Sequence, residues 1–434
     1  MIKLNFKSIG ILFLSMGISI SANANQADSI MLTVKATAST NQSIHAVDMA
    51  KILSAYDTWW SQNTRAINFQ GQSYNLIAND GSGQGSGSVY TSEGIGMGML
   101  TSAMMMYLYQ TQPSLGITND EYNLAKQRFF DGYNYWVSAE NSQAEKNNKS
   151  QWGCYDDKLL VWTRDAEGNP NGTGSATDGD FYMTGAVYLA VLALEKANDT
   201  TDANQLLAWA QARAAEISAR DFNDGLSYPY TGVANPTLPG TGDSTCDKEL
   251  SAAQNVQPDK AVLPVMYLFA KNKQMDQKTW NLLIDNTLKF IQTAQQWSNE
   301  NRPQNGYLMY WPYTAKQSGN DYIITAAGDS YDYDAGRNPE NLGGYLALAH
   351  SDYNSTAVLV DNQLLGAIYN NVGNYDSFYA GTTALGLYGL STKQALTDQQ
   401  AGFYNTLIAK PVDNKYYNTG HWLMSALWMH IQLQ

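Results

Sequence analysis

The chain has 434 residues, 44% of them hydrophobic, and a formal charge of −13 at pH 7. That is ample material for one large or two ordinary domains, and the acidic balance argues against nucleic acid and anionic lipid as partners. Four histidines and two cysteines, with no ligand-like spacing, offer no metal site, and no cofactor motif is present.

In chain order, Lys3 and Lys7 precede a short apolar run, Ile9 to Ile20, and Ala22-Asn23-Ala24 is a small-x-small cleavage site. This is the pattern of a secretory signal peptide over residues 1–24. The run is shorter than the roughly 18–20 residues a span needs. The expectation is a periplasmic or secreted protein with no stable membrane insertion after cleavage. Losing two lysines and no acid takes the charge to −15, which suits a neutral or cationic polymer. In an oxidising compartment Cys154 and Cys246 are able to pair, but sequence does not decide whether they do. Residues 25–45 are polar and read as a mobile leader. Residues 46–434 read as a single monomeric domain, since no linker divides them into comparable halves.

Twelve segments of helical period follow, near 47–63, 93–110, 119–139, 178–197, 202–219, 259–272, 276–297, 337–350, 358–370, 376–390, 396–408 and 417–432. Ala186–Leu194 is apolar nearly all round, as in a helix buried on both sides. Residues 71–77 and 321–326 read as short hairpin strands. Twelve helices in one all-α domain suggest six helical hairpins closed into an (α/α)6 barrel. If the even-numbered segments form the inner ring, their N-termini share one mouth.

Chemically interesting side chains fall at those starts. Glu93 opens the second segment, Asp178 and Asp180 the fourth, Asp334 and Arg337 the eighth, and Tyr416 and Tyr417 the twelfth. Capping accounts for any one acid taken singly. It does not account for Gly94, Gly96 and Gly98 beside Glu93, each costing roughly 1 kcal/mol against Ala in a helix. Such glycines suggest close approach of backbone or ligand. Glycosidic cleavage needs two carboxyl groups, one giving a proton and one activating water, about 6.5–9.5 Å apart in an inverting enzyme.

The motifs resemble glycoside hydrolase family 8. Thr91-Ser92-Glu93-Gly94-Ile95-Gly96-Met97-Gly98-Met99-Leu100 is similar to the segment around the family's proton donor. Ala176-Thr177-Asp178-Gly179-Asp180 resembles its signature, with Trp162 shortly before it. Tyr333-Asp334-Ala335-Gly336-Arg337 resembles the segment carrying the base, and Tyr416-Tyr417-Asn418 the C-terminal aromatic pair. The resemblance spans residues 91–418 in the family's order. It implies an (α/α)6 barrel, inversion, no metal and an open cleft. Glu93 is then the acid, Asp334 the base, Asp178 the residue that holds and distorts the sugar, and Arg337 a group that positions the base. The chain departs from the pattern at Ile95 and Met97, at Gln257-Pro258-Asp259-Lys260, and at Pro339-Glu340, where many members have Pro-Trp.

Tyr outnumbers Phe by 29 to 11, and Tyr combines a flat apolar face with a polar tip, as sugar rings require. Trp162 is the first candidate for a sugar platform, followed by Trp311 and then Tyr228, Tyr230 and Tyr379. Core packing is the competing reading for each. Tyr333 is placed to orient Asp334, and Asp332 is the neighbouring acid most easily mistaken for the base. Met97, Met99 and Met104–Met106 read as core filler. The functional expectation is an endo-acting β-1,4-glucanase working on a polysaccharide. The alternatives are a chitosanase, lichenase or xylanase, or a catalytically silent glycan-binding or polysaccharide-assembly protein.

Overall fold

The apolar periodicity becomes two concentric rings of helices. The computed structural model describes residues 44–79, 89–149, 159, 161–171, 175–222, 254–318 and 321–433. The expected signal peptide, nearly all of the leader, Cys154, Cys246, Tyr228 and Tyr230 lie outside the described residues. Among the described residues no helix is long and apolar enough to cross a membrane.

The outer helices are α1 (Met49–Asn63), α3 (Asn119–Glu140), α6 (Thr200–Glu216), α8 (Gln277–Asn301), α10 (Ser355–Asn371) and α12 (Asp398–Ile408). The inner ones are α2 (Ser92–Thr111), α5 (Thr177–Lys196), α7 (Leu263–Lys271), α9 (Asn338–Leu348), α11 (Ser377–Ser391) and α13 (Tyr416–Trp428). Each inner helix touches the next, and α13 returns to α2, so the ring closes. The outer helices lean on it from outside. This is the (α/α)6 barrel, and the expected even-numbered segments are its inner ring. Sequence explains the division. α8 has a one-sided apolar stripe, as a helix with one solvated face does, whereas α2 and α5 are buried over almost their whole length.

A short helix, α4 (Gln143–Lys149), was not expected, because Gln-Ala-Glu-Lys-Asn-Asn-Lys carries no apolar period. It is held instead by charge: buried Glu145 receives Arg164 at 2.8 Å. The two expected strands are present with partners the sequence reading did not supply. β2 (Gln72–Ile77) pairs with β1 (Thr64–Phe69), and β7 (Asp321–Ala327) pairs with β6 (Tyr313–Ser318), which also pairs with β5 (Gln254–Val256). Two further short strands, β3 (Tyr90–Thr91) and β4 (Thr163–Arg164), pair beside the start of α2.

The glycines of α2 serve the ring, not a ligand. A Cβ at Gly96 would lie 2.8 Å from Tyr182 Cβ on α5, and one at Gly98 would lie 2.8 Å from Ile77. Gly94 faces the Tyr416 ring. Their helix-propensity cost is therefore offset by close packing, of Gly94 and Gly96 against inner helices and of Gly98 against β2 and α1. Of the two kinds of close approach expected at these glycines, the structure shows protein against protein.

Candidate active site

Four of the six inner helices, α2, α5, α7 and α9, contribute to one cluster at their N-terminal mouth. Its centre is Arg337, at the end of the turn Ala335–Arg337 that leads into α9, with 1% of its surface exposed. Nη1 donates to Glu93 Oε1 at 2.9 Å and to Asp178 Oδ2 at 2.5 Å. Nη2 donates to Asp259 Oδ2 at 3.0 Å and also to Asp334 Oδ1. A second cation, Lys260, donates from Nζ to Asp178 Oδ2 at 2.7 Å and to Asp334 Oδ1 at 3.1 Å. Asp259 and Lys260 belong to the turn Pro258–Lys260 just ahead of α7. Four carboxyl groups distant in sequence thus meet on one guanidinium and one ammonium. Burying a carboxylate without such partners costs several kcal/mol.

The cations set the ionisation of these acids. Burial works to raise Asp178, but the Lys260 ammonium and the Arg337 guanidinium outweigh it and hold Asp178 well below the usual carboxylate range. Asp334 is held down against burial by the same two cations. Asp259 goes the other way. Burial, with the Asp334 and Asp178 charges adding to it, raises its pKa to about 7 despite Arg337 and Lys260. Of Asp178, Asp334 and Asp259, Asp259 is therefore the one that takes up a proton most readily.

Capping does not explain the three expected acids. The cap of α2 is Thr91, whose Oγ1 accepts from Gly94 N at 3.0 Å, which leaves Glu93 pointed into the cluster. Asp178 accepts from its neighbour Gly179 N through Oδ1 and gives Oδ2 to the cations. Asp332 supplies the turn before α9, accepting from Ala335 N at 3.2 Å. Asp334 makes no cap bond and joins the cluster. Of the two neighbouring acids, only Asp334 is joined to Lys260 and Arg337. Asp180 is buried in the first turn of α5.

Behind Glu93 lies a second polar layer. His421 on α13 is fully buried, with Nδ1 2.6 Å from Glu340 Oε2 and Nε2 3.8 Å from Glu93 Oε1. Ser425 donates to the other Glu340 oxygen at 3.3 Å. Burial works to lower His421, but the Glu340 carboxylate outweighs it and raises it above its ordinary value.

The aromatic candidates separate by exposure. Trp162 is 37% exposed, and its carbonyl accepts from Ser92 N at 2.8 Å, which seats it beside Glu93. Arg164 fixes that segment from below, ion-paired to Glu145 and lying 4.5 Å from the Trp136 ring centre. Tyr333 is 43% exposed, stacks on Tyr379 with ring centres 5.4 Å apart, and donates to Asp376 Oδ2 at 2.8 Å. The hydroxyl is therefore turned to Asp376, not to Asp334 as expected. Tyr417 stacks on Phe378 and lies 4.6 Å from the His421 ring. Tyr416 is enclosed, its hydroxyl 2.9 Å from Thr91 Oγ1, so it is a wall of the site and not a sugar surface. Trp311 is half-buried ahead of β6 with its carbonyl against Gly328, and none of the described ring contacts or hydrogen bonds ties it to the carboxylates.

Asp259, Lys260, Glu340 and His421 were not among the expected site residues. The rule that found Glu93 would have found the first two, since Asp259 opens the sixth, also even-numbered, segment. Glu340 and His421 lie within their helices, and nothing in sequence links positions 81 residues apart.

No family model and no curated protein sequence matches the chain. Solved structures do. A β-1,3-1,4-glucanase from Paenibacillus sp. X4 superposes with a TM-score of 0.60 at 17% identity, over 91% of this chain and 95% of that one. A GH8 xylanase from Teredinibacter turnerae gives 0.57 at 14% identity, over 88% and 92%. Endoglucanase Cel10 from Klebsiella pneumoniae, a family 8 glycosyl hydrolase, gives 0.53 at 14% identity, over 87% and 98%. The chain has the fold of family 8 glycoside hydrolases. In this family 8 fold the cluster around Arg337 sits where six inner helices begin, and no inserted domain is needed to assemble it.

Proposed function

We propose that this chain is an inverting glycoside hydrolase that cleaves a β-linked polysaccharide within the chain, with a β-1,4-glucan as the first substrate to test. The observation that carries this reading is the convergence of Glu93 and Asp334 on the two terminal nitrogens of Arg337, beside the exposed face of Trp162. The similar structures, a glucanase, a xylanase and an endoglucanase, support the same substrate class.

In this reading Glu93 gives its proton to the glycosidic oxygen as the C1–O bond breaks. Water attacks C1 from the opposite face and passes its proton to Asp334, which Arg337 and Lys260 keep ionised. Asp178, fixed by the same cations, holds the sugar at the cleavage point. Trp162 and Tyr333 offer ring faces to neighbouring sugars.

The test is reducing-sugar release from cellulose derivatives, mixed-linkage glucan, xylan and chitosan, with proton NMR of the first anomer formed. Release of the α-anomer from a β-linked polymer is expected. Release of the β-anomer overturns inversion. Oligosaccharide binding without release from any polymer overturns the hydrolase and favours the glycan-binding alternative. Export belongs to the same proposal, and the mature N-terminus, read by mass spectrometry, is expected at Asn25.

Lys260 supplies a pH prediction. In Lys260→Met the base loses one of the two cations that hold it down, so Asp334 and Asp178 both rise toward ordinary values. An opposite charge at this distance is worth about 1–3 pH units. The ascending limb of kcat/KM is therefore expected to move to higher pH by about one unit or more. A profile that keeps its ascending limb removes Lys260 from the ionisation of the base.

A further inference from the structure

Glu340 and His421 face each other across α9 and α13, in the interior, with no solvent to share the cost of a charge. A buried acid–base pair of this kind is weak evidence for stability, since apolar side chains of similar size do as well. At Pro339-Glu340 the chain also departs from the sequence pattern it otherwise resembles. The imidazole is fully oriented. Glu340 takes Nδ1 at 2.6 Å and is itself braced by Ser425. That leaves Nε2, a buried ring nitrogen without a hydrogen-bond partner, aimed at Glu93 Oε1 from 3.8 Å, a small side-chain rotation short of a bond.

We infer that Glu340 and His421 form a buried proton-holding pair for Glu93, in which one proton is shared between His421 Nε2 and Glu93 Oε1. This rests on the reading of Glu93 as the acid. His421 is a positioning residue, since it acts through Glu93. With Nδ1–H committed to Glu340, a neutral imidazole accepts from a protonated Glu93, and an imidazolium donates to an ionised one. Either way the two side chains together hold one proton. When the leaving oxygen takes the proton of Glu93, the electrons of the C1–O bond go to that oxygen. That transfer takes the one shared proton, so Glu93 is left ionised and His421 is left neutral on Glu340. After product leaves, one proton from water refills the pair, balancing the one that Asp334 releases.

Among the described residues, the charged and titratable groups facing His421 are few. They are Glu340 and the Arg337 side chain from the α9 region, Glu93 from α2, Tyr182 from α5 at 6.1 Å between rings, and Tyr417 from its own helix; α11 presents only Phe378. Burial and Arg337 oppose the imidazolium, and the Glu340 and Glu93 carboxylates favour it, with a net rise. The descending limb of activity then belongs to the pair and not to Glu93 alone.

The experiment has two arms on the full chain. In the first, histidine side-chain NMR follows the titration of His421 in the wild type, Glu93→Gln and Glu340→Gln; only four histidines are present, so the signal is assignable. Both substitutions remove a facing anion while keeping the shape, and each is expected to lower the His421 midpoint by about one pH unit. An unchanged midpoint in Glu93→Gln overturns the shared proton. In the second, His421→Leu and Glu340→Gln, checked for folding by circular dichroism, are assayed across pH. The descending limb of kcat/KM is expected about one unit lower in both. A limb that stays in place while activity merely scales overturns the proposal in favour of a structural pair. If the wild type releases sugar from no polymer, the hydrolase reading fails by itself, and the NMR arm still decides the shared proton.

Discussion

Glu93→Gln is expected to lower kcat on the cleaved polymer by about 10²–10⁴-fold, the range a positioned general acid contributes. The substitution is nearly isosteric, and its amide oxygen still accepts from Arg337, so the fold and the contacts of the cluster remain. What is lost is the proton to be given. KM is therefore expected to change little, because an interaction made only in the transition state has been removed. A synthetic glycoside with an activated phenolate leaving group needs no proton on departure and should keep most of its rate. Steady-state kinetics on both substrates checks this. Equal loss on the two, or a loss confined to KM, would assign Glu93 to binding.

Arg337→Met is expected to have the largest effect on stability. It removes the partner of four carboxyl groups and leaves only Lys260, which reaches two of them. Removing one side of a buried ion pair costs about 3–5 kcal/mol, and hydrolysis should fall below detection with it. The pH dependence follows from the signs. Asp178 and Asp334 have folded pKa values below those of the unfolded chain, so they stabilise above about pH 4 and lose that contribution as pH falls through their folded values. Asp259, raised to about 7, acts in reverse: it costs stability increasingly as pH rises from about 4 toward 7. Without Arg337 all of these carboxyls rise. The gap between wild type and variant should be wide at pH 7 and narrow below pH 4. Urea denaturation at both pH values measures it, and a gap independent of pH would mean that Arg337 acts through packing alone.

The Glu93 and Arg337 variants probe different properties of the cluster. Glu93 tests whether the cluster does chemistry, and Arg337 tests what holds the cluster together. Carboxylates kept ionised in the interior need counter-charges close by. Here those counter-charges are contributed by the same helix starts as the acids.

Much of the architecture was legible in the chain. Twelve helical periods, with Ala186–Leu194 apolar nearly all round, suggest a double ring, because an inner ring buries such a helix on every side. Alternation then sends all inner N-termini to one mouth, and this is why the meeting of Glu93, Asp178, Asp334 and Arg337 is legible in the chain. Helix α4 escaped because it is held by Glu145 and Arg164 and not by an apolar stripe. The glycines of α2 were legible as a cost, but what offsets that cost is the packing of Tyr182, Ile77 and Tyr416. Only the tertiary structure decided which acids share a cation. It turned Asp332 into a turn-former and Asp334 into a partner of Lys260, and it turned Tyr333 toward Asp376. It also joined Glu340 to His421 behind Glu93. Period and composition report which face of a helix is buried. They carry no record of which buried polar group meets which, because those contacts are set by the crossing of helices far apart in the chain.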